Sequence, residues 1–182
     1  VQFSREGGRC KKSSKGLQIG RMTDVSLNKH VSGETPYSPS NPRHHRLGLV
    51  LSALRRDGVH LVRAQVPVAV QRLHLRTTID AVGVGSDGEV VVVELKCTRM
   101  TMTEHRRLYE VCCKKQRKLS NGMPCNERTL HALQAGFGAA ALRKQLTVSL
   151  KVRALVVVCC TNGALVHRTN PAFCCLVPFT DT

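Results

Sequence analysis

The sequence predicts an α/β domain with a mixed central sheet flanked by helices, and three features predict it. The first is a β-hairpin of residues 77–84 and 89–96, two runs rich in β-branched residues that are joined by the turn-forming Asp87-Gly88. The second is an amphipathic helix ahead of the hairpin, and the third is a helix at about 127–145 followed by an apolar strand. Two βα units around a central hairpin give a mixed sheet with helices on its faces.

The N-terminal part is predicted to be an arm, a loop and then the first helix of the domain. Residues 1–20 are rich in Gly, Ser and Lys and are predicted to form a flexible basic arm, with a short helix at 23–31 and a proline-containing loop to residue 42. A helix at about 43–56 repeats apolar residues at i, i+3, i+4 and i+7, with its arginines on its ends and outer side. The predicted organisation is an arm at 1–40, a domain at 41–170 and a C-terminal tail at 171–182.

The remaining elements follow from the same patterns. Strands are predicted at 60–70, 73–84, 89–97, 151–160 and 164–168, and a further helix at about 103–119. Asn126 is the predicted N-cap of the helix at 127–145, and Asn162-Gly163 is the predicted turn before the last strand. The residues of the 127–145 helix that are expected to face inward are Leu130, Leu133, Phe137 and Ala141.

Three charged side chains are predicted to meet on the hairpin. Asp80 lies on its first strand, and Glu94 and Lys96 lie two residues apart on its second strand, so those two side chains point to one face. The valines at 90–93 indicate a buried strand, where charges are costly unless they are paired or bound to a metal. Paired carboxylates bind Mg²⁺, and a lysine can hold the water that the metal activates. The pattern therefore favours a metal site over a solvated strand pair.

In this order the residues resemble the PD-(D/E)XK nuclease superfamily, which has the restriction-endonuclease-like fold. The resemblance is strongest to the branch that includes lambda exonuclease and the nuclease domains of bacterial recombination helicases. In that pattern a strand, here 64–70, precedes the strand with the Asp, an E-x-K strand follows, and a later helix supplies a glutamine, here Gln134. The resemblance covers roughly residues 41–160, and it departs from the pattern where Ile79 replaces the proline expected before the Asp.

The resemblance implies a metal-dependent nuclease in which Asp80 and Glu94 bind Mg²⁺ or Mn²⁺, with the Leu95 carbonyl as a third ligand. It implies that Lys96 positions or activates the attacking water and that Gln134 orients the lysine, the water or the scissile phosphate. It also implies DNA in preference to RNA as the substrate, and it leaves exonuclease and endonuclease action open. Many members of the superfamily add an upstream acid or histidine to the site, for which the sequence offers Glu34, His44 and His45.

The charge of the chain indicates a polyanionic partner. Lys and Arg number 28 against 12 Asp and Glu, a formal net charge of +16. Aromatic residues make up only 3% of the chain, which favours contacts to the phosphate backbone over base stacking. No apolar run reaches the roughly 18 residues that would span a bilayer, so no membrane partner is expected. The candidate nucleic-acid-binding residues are Arg43, Arg46, Arg106, Arg107, Lys114, Lys115, Arg117 and Lys118.

The nine cysteines lack the spacing of a zinc site or a disulfide framework. Their odd number and their three adjacent pairs predict reduced thiols that pack as small apolar residues. Reduced thiols in turn predict a reducing intracellular compartment, the nucleus or the mitochondrion if the source is eukaryotic. The chain begins with Val1 rather than Met, as a processed product or a fragment would.

Two other classes of function fit parts of the sequence. A catalytically silent nuclease-fold protein, which binds nucleic acid or scaffolds a nucleoprotein assembly, would keep the fold and the basic charge. The intact set of Asp80, Glu94 and Lys96 argues against that alternative. A cysteine-based redox or zinc protein is less favoured, because the cysteines lack motif spacing.

Overall fold

A computed structural model describes residues 14–71, 74–112, 126–146 and 150–169 of the 182-residue chain. The helices are α1 (Ser14–Val31), α2 (His45–Arg56, directly after a 3-10 turn at Pro42–His44), α3 (Met102–Cys112) and α4 (Glu127–Gln145). The strands are β1 (His60–Val70), β2 (Leu75–Val84), β3 (Val90–Cys97), β4 (Val152–Cys159) and β5 (Ala164–Arg168).

The five strands form one mixed sheet in the order β1-β2-β3-β4-β5. The β1–β2, β2–β3 and β4–β5 pairs are antiparallel, whereas β3 and β4 are parallel. A parallel pair needs a long crossover connection, and the segment that contains α3 and α4 supplies it. The α/β class, the mixed sheet and the central hairpin that the sequence predicts are therefore confirmed.

Helices cover both faces of the sheet. On one face, α1 and α2 pack around Leu27 and Leu54 against β3 residues such as Val91. On the other face, Ala135 of α4 packs against Val92. Neighbouring β3 residues thus serve opposite faces, as the two-residue period of a strand requires. Within the described residues, none of the helices combines the length and the apolarity that a membrane-spanning segment needs.

Two local signals read from the sequence, a helix cap and a hairpin turn, are confirmed. Asn126 caps α4, since its side-chain oxygen accepts a hydrogen bond from the Thr129 N–H at 2.8 Å. The turn between β2 and β3 has Gly88 at φ +74°, a conformation that glycine adopts without the steric cost of a Cβ. The same turn is closed by the hydrogen bond from the Gly85 N–H to the Glu89 carbonyl, 2.9 Å.

Two expectations about helices were wrong. α1 begins at Ser14, so residues 14–20 are helical, and the helix is longer than the predicted 23–31. Its Leu27 is only 1% exposed and belongs to the core. On α4, Leu130 is 47% exposed rather than inward-facing, because the buried face is formed mainly by alanines and glycines. The second half of the predicted 103–119 helix and the predicted tail at 171–182 lie outside the described residues.

Ion pairs hold together the end of the sheet at which β3 and β4 begin. Arg153 binds Asp57 through Nη1 at 2.9 Å and Glu89 through Nε at 2.6 Å. Arg168 binds the other oxygen of Asp57 at 3.0 Å. Because Asp57 ends α2 and Glu89 precedes β3, these pairs tie the helix, the hairpin turn and the two strands to one another.

The regular pleat of β1 and β2 is interrupted at Gln65 and Asp80. Gln65 has φ +51°, in the left-handed region, and it lies opposite Asp80 in the β1–β2 register. On β2, Ile79 and Val82 both pack on the α4 face. Residues three apart on a regular strand point to opposite faces, so the alternation of side chains between the two faces is shifted by one residue between them. Backbone strain at a non-glycine residue thus lies directly beside Asp80.

Gln65→Gly should leave the free energy of unfolding unchanged or raise it by about 1 kcal/mol, since glycine adopts positive φ freely. Gln65→Val should lower it by about 1–2 kcal/mol, because a β-branched side chain tolerates left-handed backbone less well than the unbranched side chain of glutamine. Urea unfolding measures both changes. The control is Thr78→Gly, an exposed β2 position without positive φ, which should be destabilising. Equal destabilisation by the two glycine variants would contradict the assignment of strain to Gln65.

Candidate functional site

The candidate site lies where β2 and β3 separate. Their backbone pairing ends at the Ala81–Val93 pair. Beyond it, the carboxylate of Asp80 takes the place of a strand partner, because its Oδ2 accepts a hydrogen bond from the Leu95 N–H at 2.7 Å. The N–H and C=O of one strand residue point to the same side, so the Leu95 carbonyl also faces β2. A carboxylate and a carbonyl oxygen thus meet in the opening.

Glu94 and Lys96 lie on the face of β3 that packs against α4, as their two-residue spacing predicts. Glu94 is only 3% exposed, and its Oε1 is bound by the ammonium group of Lys96. Lys96 Nζ also donates to Oε1 of Gln134, on the exposed side of α4, at 3.4 Å. That distance is long for a hydrogen bond, so the amide holds the ammonium loosely.

Asp24 of α1 is a third carboxylate at this site, and the sequence analysis missed it. The negative charge of Asp24 raises the pKa of Glu94, and the charge of Asp80 raises the pKa of Asp24. The helix turns it toward the sheet because its neighbours Thr23 and Leu27 are buried. Asp24 comes from the α1 face and Glu94 from the α4 face, so acids on both faces of the sheet are close enough for their charges to act on one another. One signal could have found it: Asp24 is the only acidic residue of α1.

Burial raises the pKa of all three carboxyl groups. Desolvation is the largest cause in each case, and the charge of Asp80 is the next cause for Asp24 and Glu94. The pKa of Asp24 is raised to about 6 and that of Glu94 to about 7. For Asp80 the Leu95 hydrogen bond and the Lys96 charge oppose the rise in pKa. The site therefore concentrates more negative charge than its one ammonium group balances.

The donor atoms suit a hard divalent cation. Carboxylate and carbonyl oxygens are the ligands that Mg²⁺ and Mn²⁺ prefer, and a dication relieves the repulsion that raises the carboxyl pKa values. Among the residues that the structure describes, no group of three or more His, Cys, Asp or Glu side chains forms a ready metal cluster. Mg²⁺ usually keeps several of its waters and is bound through one or two carboxylates.

The three upstream residues proposed from the sequence have other surroundings. His44 is buried, its Nδ1 accepts a hydrogen bond from the Ser38 N–H at 3.1 Å, and its ring stacks on Tyr37. These contacts fix the loop ahead of α2. His45 and Glu34 are exposed. None of these three residues contributes to the pKa shifts at the site. The upstream acid that contributes is Asp24, which raises the pKa of Glu94.

The basic candidates divide into three groups. Arg43, Arg106 and Arg107 are exposed. Arg46 is half-buried, and its Nη1 donates to the carbonyls of Thr98 at 2.9 Å and Cys159 at 3.4 Å. It therefore caps the ends of β3 and β4. Lys114, Lys115, Arg117 and Lys118 lie outside the described residues.

Two thiols lie at the same end of the sheet as the carboxylates. Cys97 and Cys159 are register partners at the ends of β3 and β4. The interaction of the Cys97 thiol with the Cys159 thiol, and secondarily with the Thr23 hydroxyl, lowers the pKa of Cys97 to about 7 although burial opposes it. The pKa of Cys159 is raised by its interaction with the Cys97 thiol and by burial. Cys97, Cys159 and Cys160 are all reduced.

One solved structure similar to this chain is that of a candidate exonuclease from Eubacterium rectale. The two chains are 12% identical and superpose with a TM-score of 0.46. The match covers 90% of this chain but 62% of that protein, so this chain spans less than two thirds of its length. No protein-family model matches the sequence, and no curated protein matches it.

Metal-free protein should lose stability as the pH rises from about 4.5 to about 7. In the folded chain the pKa of Asp24, about 6, and that of Glu94, about 7, lie above their ordinary values of 3.8 and 4.5. The folded state therefore binds more protons than the unfolded state in this window, and the stability present at lower pH is lost as the pH passes the folded pKa values. Urea unfolding in the presence of a chelator, at a series of pH values, measures the loss.

The double variant Asp24→Asn, Glu94→Gln should flatten this profile, because its side chains do not titrate. Glu34→Gln, at an exposed acid outside the site, is the matched control and should keep the slope of the unmodified chain. Mg²⁺ or Mn²⁺ should restore part of the stability above pH 7, where protons no longer neutralise the carboxylates. If the free energy of unfolding of the unmodified chain does not change with pH, the raised pKa values are contradicted.

Proposed function

We propose that the protein is a metal-dependent nuclease that hydrolyses phosphodiester bonds, with DNA preferred over RNA. The observation that carries the proposal is the meeting of Asp80, Glu94 and Lys96, together with Asp24, at the opening between β2 and β3. Burying several carboxylates with one ammonium group costs stability, and a purely structural role gives no reason for that cost. Perturbed carboxyl groups gathered at one place are typical of a functional site.

In this proposal the oxygens of the opening hold the cation. Asp80, Glu94 and the Leu95 carbonyl are the ligands, and Asp24 joins them directly or through a water. A cation held by these residues would polarise a phosphoryl oxygen and lower the pKa of a bound water. The protein supplies the placement: the Leu95 N–H holds the Asp80 carboxylate by the 2.7 Å hydrogen bond, and burial keeps bulk water from Glu94.

Lys96 and Gln134 act on the water and the phosphate. The ammonium of Lys96 can hold the attacking water in line with the phosphorus or offset the charge that develops on the phosphate oxygens. The amide oxygen of Gln134, 3.4 Å from Nζ, gives the ammonium a second partner when it leaves Glu94. The roles assigned to Asp80, Glu94, Lys96 and Gln134 are those that the sequence pattern suggested, and Asp24 extends them.

The net charge of +16 supports a nucleic acid as the substrate. Exposed Arg106 and Arg107 lie on α3, which begins at Met102, a short connection after the strand that carries Glu94 and Lys96. Arginines placed there would contact phosphates close to the proposed metal site. Contacts of this kind hold the backbone without reading its sequence.

The second candidate is a catalytically silent protein of the same fold that binds nucleic acid or serves a nucleoprotein assembly. The Lys96–Glu94 ion pair favours it, because the ammonium occupies a carboxylate that a metal would need. An ammonium and a dication compete for that oxygen. An enzyme must break the Lys96–Glu94 ion pair when it binds the metal, whereas a silent protein would keep that ion pair.

Asp80→Ala, Glu94→Ala and Lys96→Ala should each lower cleavage of single- and double-stranded DNA roughly 10²- to 10³-fold or more. The first two should also weaken Mn²⁺ binding, since they remove ligands. Lys96→Ala should bind Mn²⁺ at least as tightly as the unmodified chain, because Glu94 loses its competing ammonium. Cleavage assays with Mg²⁺ or Mn²⁺ and calorimetric titration with Mn²⁺ measure the two effects.

The matched controls are Glu34→Gln, at an exposed acid, and Lys151→Ala, at an exposed lysine beside the start of β4. Both should cleave DNA normally, and chelation of the metal should stop cleavage by both. Full activity in purified Asp80→Ala and Glu94→Ala would overturn the proposal. Nucleic-acid binding without cleavage of any DNA or RNA substrate by the unmodified chain would favour the silent alternative.

Replacing Arg106 and Arg107 with Ala should weaken binding to all DNA sequences alike and flatten its salt dependence. Each lost phosphate contact should reduce the slope of log affinity against log salt by about 0.7–0.9. The matched pair is Arg55 and Arg56, exposed arginines at the end of α2 beside the ion-paired Asp57, whose replacement should leave the slope unchanged. Fluorescence anisotropy at several salt concentrations measures it, and equal slopes for both double variants would show that α3 does not contact the DNA.

A further inference from the structure

Cys97 and Cys159 are the last residues of two neighbouring parallel strands. They are register partners on β3 and β4, and both side chains belong to the face covered by α1 and α2. Adjacent strands lie about 4.8 Å apart, within the Cα separation of roughly 4.4–6.8 Å at which disulfides form. A bond between their sulfur atoms therefore requires mainly side-chain rotation.

The two thiols differ in their access to solvent. Cys97 is partly exposed, whereas Cys159 is fully buried. A reagent in solution therefore reaches Cys97 first, and Cys159 reacts only with a sulfur already beside it. Cys160, the next residue in the chain, is also fully buried but packs on the α4 face, away from Cys97. It is a matched control within the same strand end.

We propose that Cys97 and Cys159 form a dithiol–disulfide couple that reacts with low-molecular-weight disulfides of the glutathione class, and that its oxidation disturbs the site between β2 and β3. Disulfides that form in proteins of reducing compartments are commonly transient and redox-sensing. The couple rests on its own geometry, whereas its effect on cleavage rests on the proposed function.

The reaction consists of two thiol–disulfide exchanges. The sulfur of Cys97 gives up its proton and attacks one sulfur of the reagent, which forms a mixed disulfide and releases one reagent thiol. Cys159 then gives up its proton and attacks the sulfur of Cys97, which breaks the mixed disulfide and releases the second reagent thiol. Two electrons and two protons pass from the protein to the reagent, and excess thiol reverses both steps.

The couple contacts the helix that carries Asp24. The thiol of Cys97 interacts with the hydroxyl of Thr23, the residue before Asp24 on α1. Drawing the Cys97 sulfur toward β4 weakens this polar contact between α1 and the end of β3. Oxidation thus loosens the helix at the turn that places the third carboxylate.

The couple also lies beside the lysine of the site. Cys97 directly follows Lys96, and Arg46 holds the neighbouring Cys159 carbonyl and that of Thr98 at the ends of the two strands. Rotation at Cys97 and Cys159 therefore changes the strand end on which Lys96 sits. Groups that hold a metal site from outside its ligands typically alter affinity or activity by 10- to 100-fold when changed.

The first test maps the cross-link in the full chain after treatment with oxidised glutathione. Trypsin releases Cys97 in peptide 97–99 and Cys159 with Cys160 in peptide 154–168. Mass spectrometry should find these two peptides joined, and joined equally in Cys160→Ser, where the assignment to Cys159 is unambiguous. In Cys159→Ser the glutathione adduct should remain on Cys97. Failure to join the peptides, while other cysteines are oxidised, would overturn the proposal.

The second test measures what oxidation does to the site. Hydrogen exchange of α1 amides should become faster on oxidation and recover with dithiothreitol, and Mn²⁺ affinity should fall roughly 10-fold or more. Cys97→Ser should show neither response to the oxidant, and Cys160→Ser should show both. An oxidised chain with unchanged exchange and unchanged Mn²⁺ affinity would overturn the regulatory part. If the chain binds no metal and cleaves no nucleic acid, the proposed function fails. The Cys97–Cys159 cross-link and the hydrogen exchange of the α1 amides then still decide whether the redox couple exists and acts on α1.

Discussion

The backbone pairing of β2 and β3 stops at the Ala81–Val93 pair, and the candidate site depends on that stop. A buried N–H without a strand partner must find another acceptor, and the carboxylate of Asp80 serves the Leu95 N–H. Because this carboxylate lies between the strands, side chains from both faces of the sheet can approach it. The left-handed backbone of Gln65 lets β1 stay paired with β2 across the same irregularity.

The charges at the opening have two ways to be balanced. Burial and mutual repulsion raise the pKa of Asp24 and Glu94, so at acidic pH protons neutralise these carboxylates. A divalent cation would balance them near neutral pH, so its binding and the loss of protons would be linked. Lys96 alone is insufficient, since it binds only Glu94 of the three carboxylates. Releasing it from Glu94 would place an ammonium group beside the metal, where hydrolysis needs it.

What could be predicted from the sequence rests on neighbours along the chain. Periodicity and turn residues located the five strands and α4 closely, and strand alternation put Glu94 and Lys96 on one face. Asp24 could not be found in this way, because α1 reaches the sheet only through tertiary packing of residues such as Leu27. The kink at Gln65 has no sequence signal either, since glutamine has no particular preference for positive φ.

The two ends of β3 and β4 are held in chemically different ways. At the start, Arg153 forms half-buried ion pairs with Asp57 and Glu89, which fix strand, turn and helix together. At the other end, the side-chain links include the Arg46 hydrogen bonds to carbonyls and the hydrogen bond from the Met102 N–H to Asn162, and two neighbouring thiols, which are weak donors and acceptors, lie beside them. A strand end held by such bonds rather than by ion pairs can shift by small amounts without unfolding the sheet. The acids, the lysine and the oxidisable thiols all lie at that end, so a change at the thiols acts where the proposed chemistry depends on position.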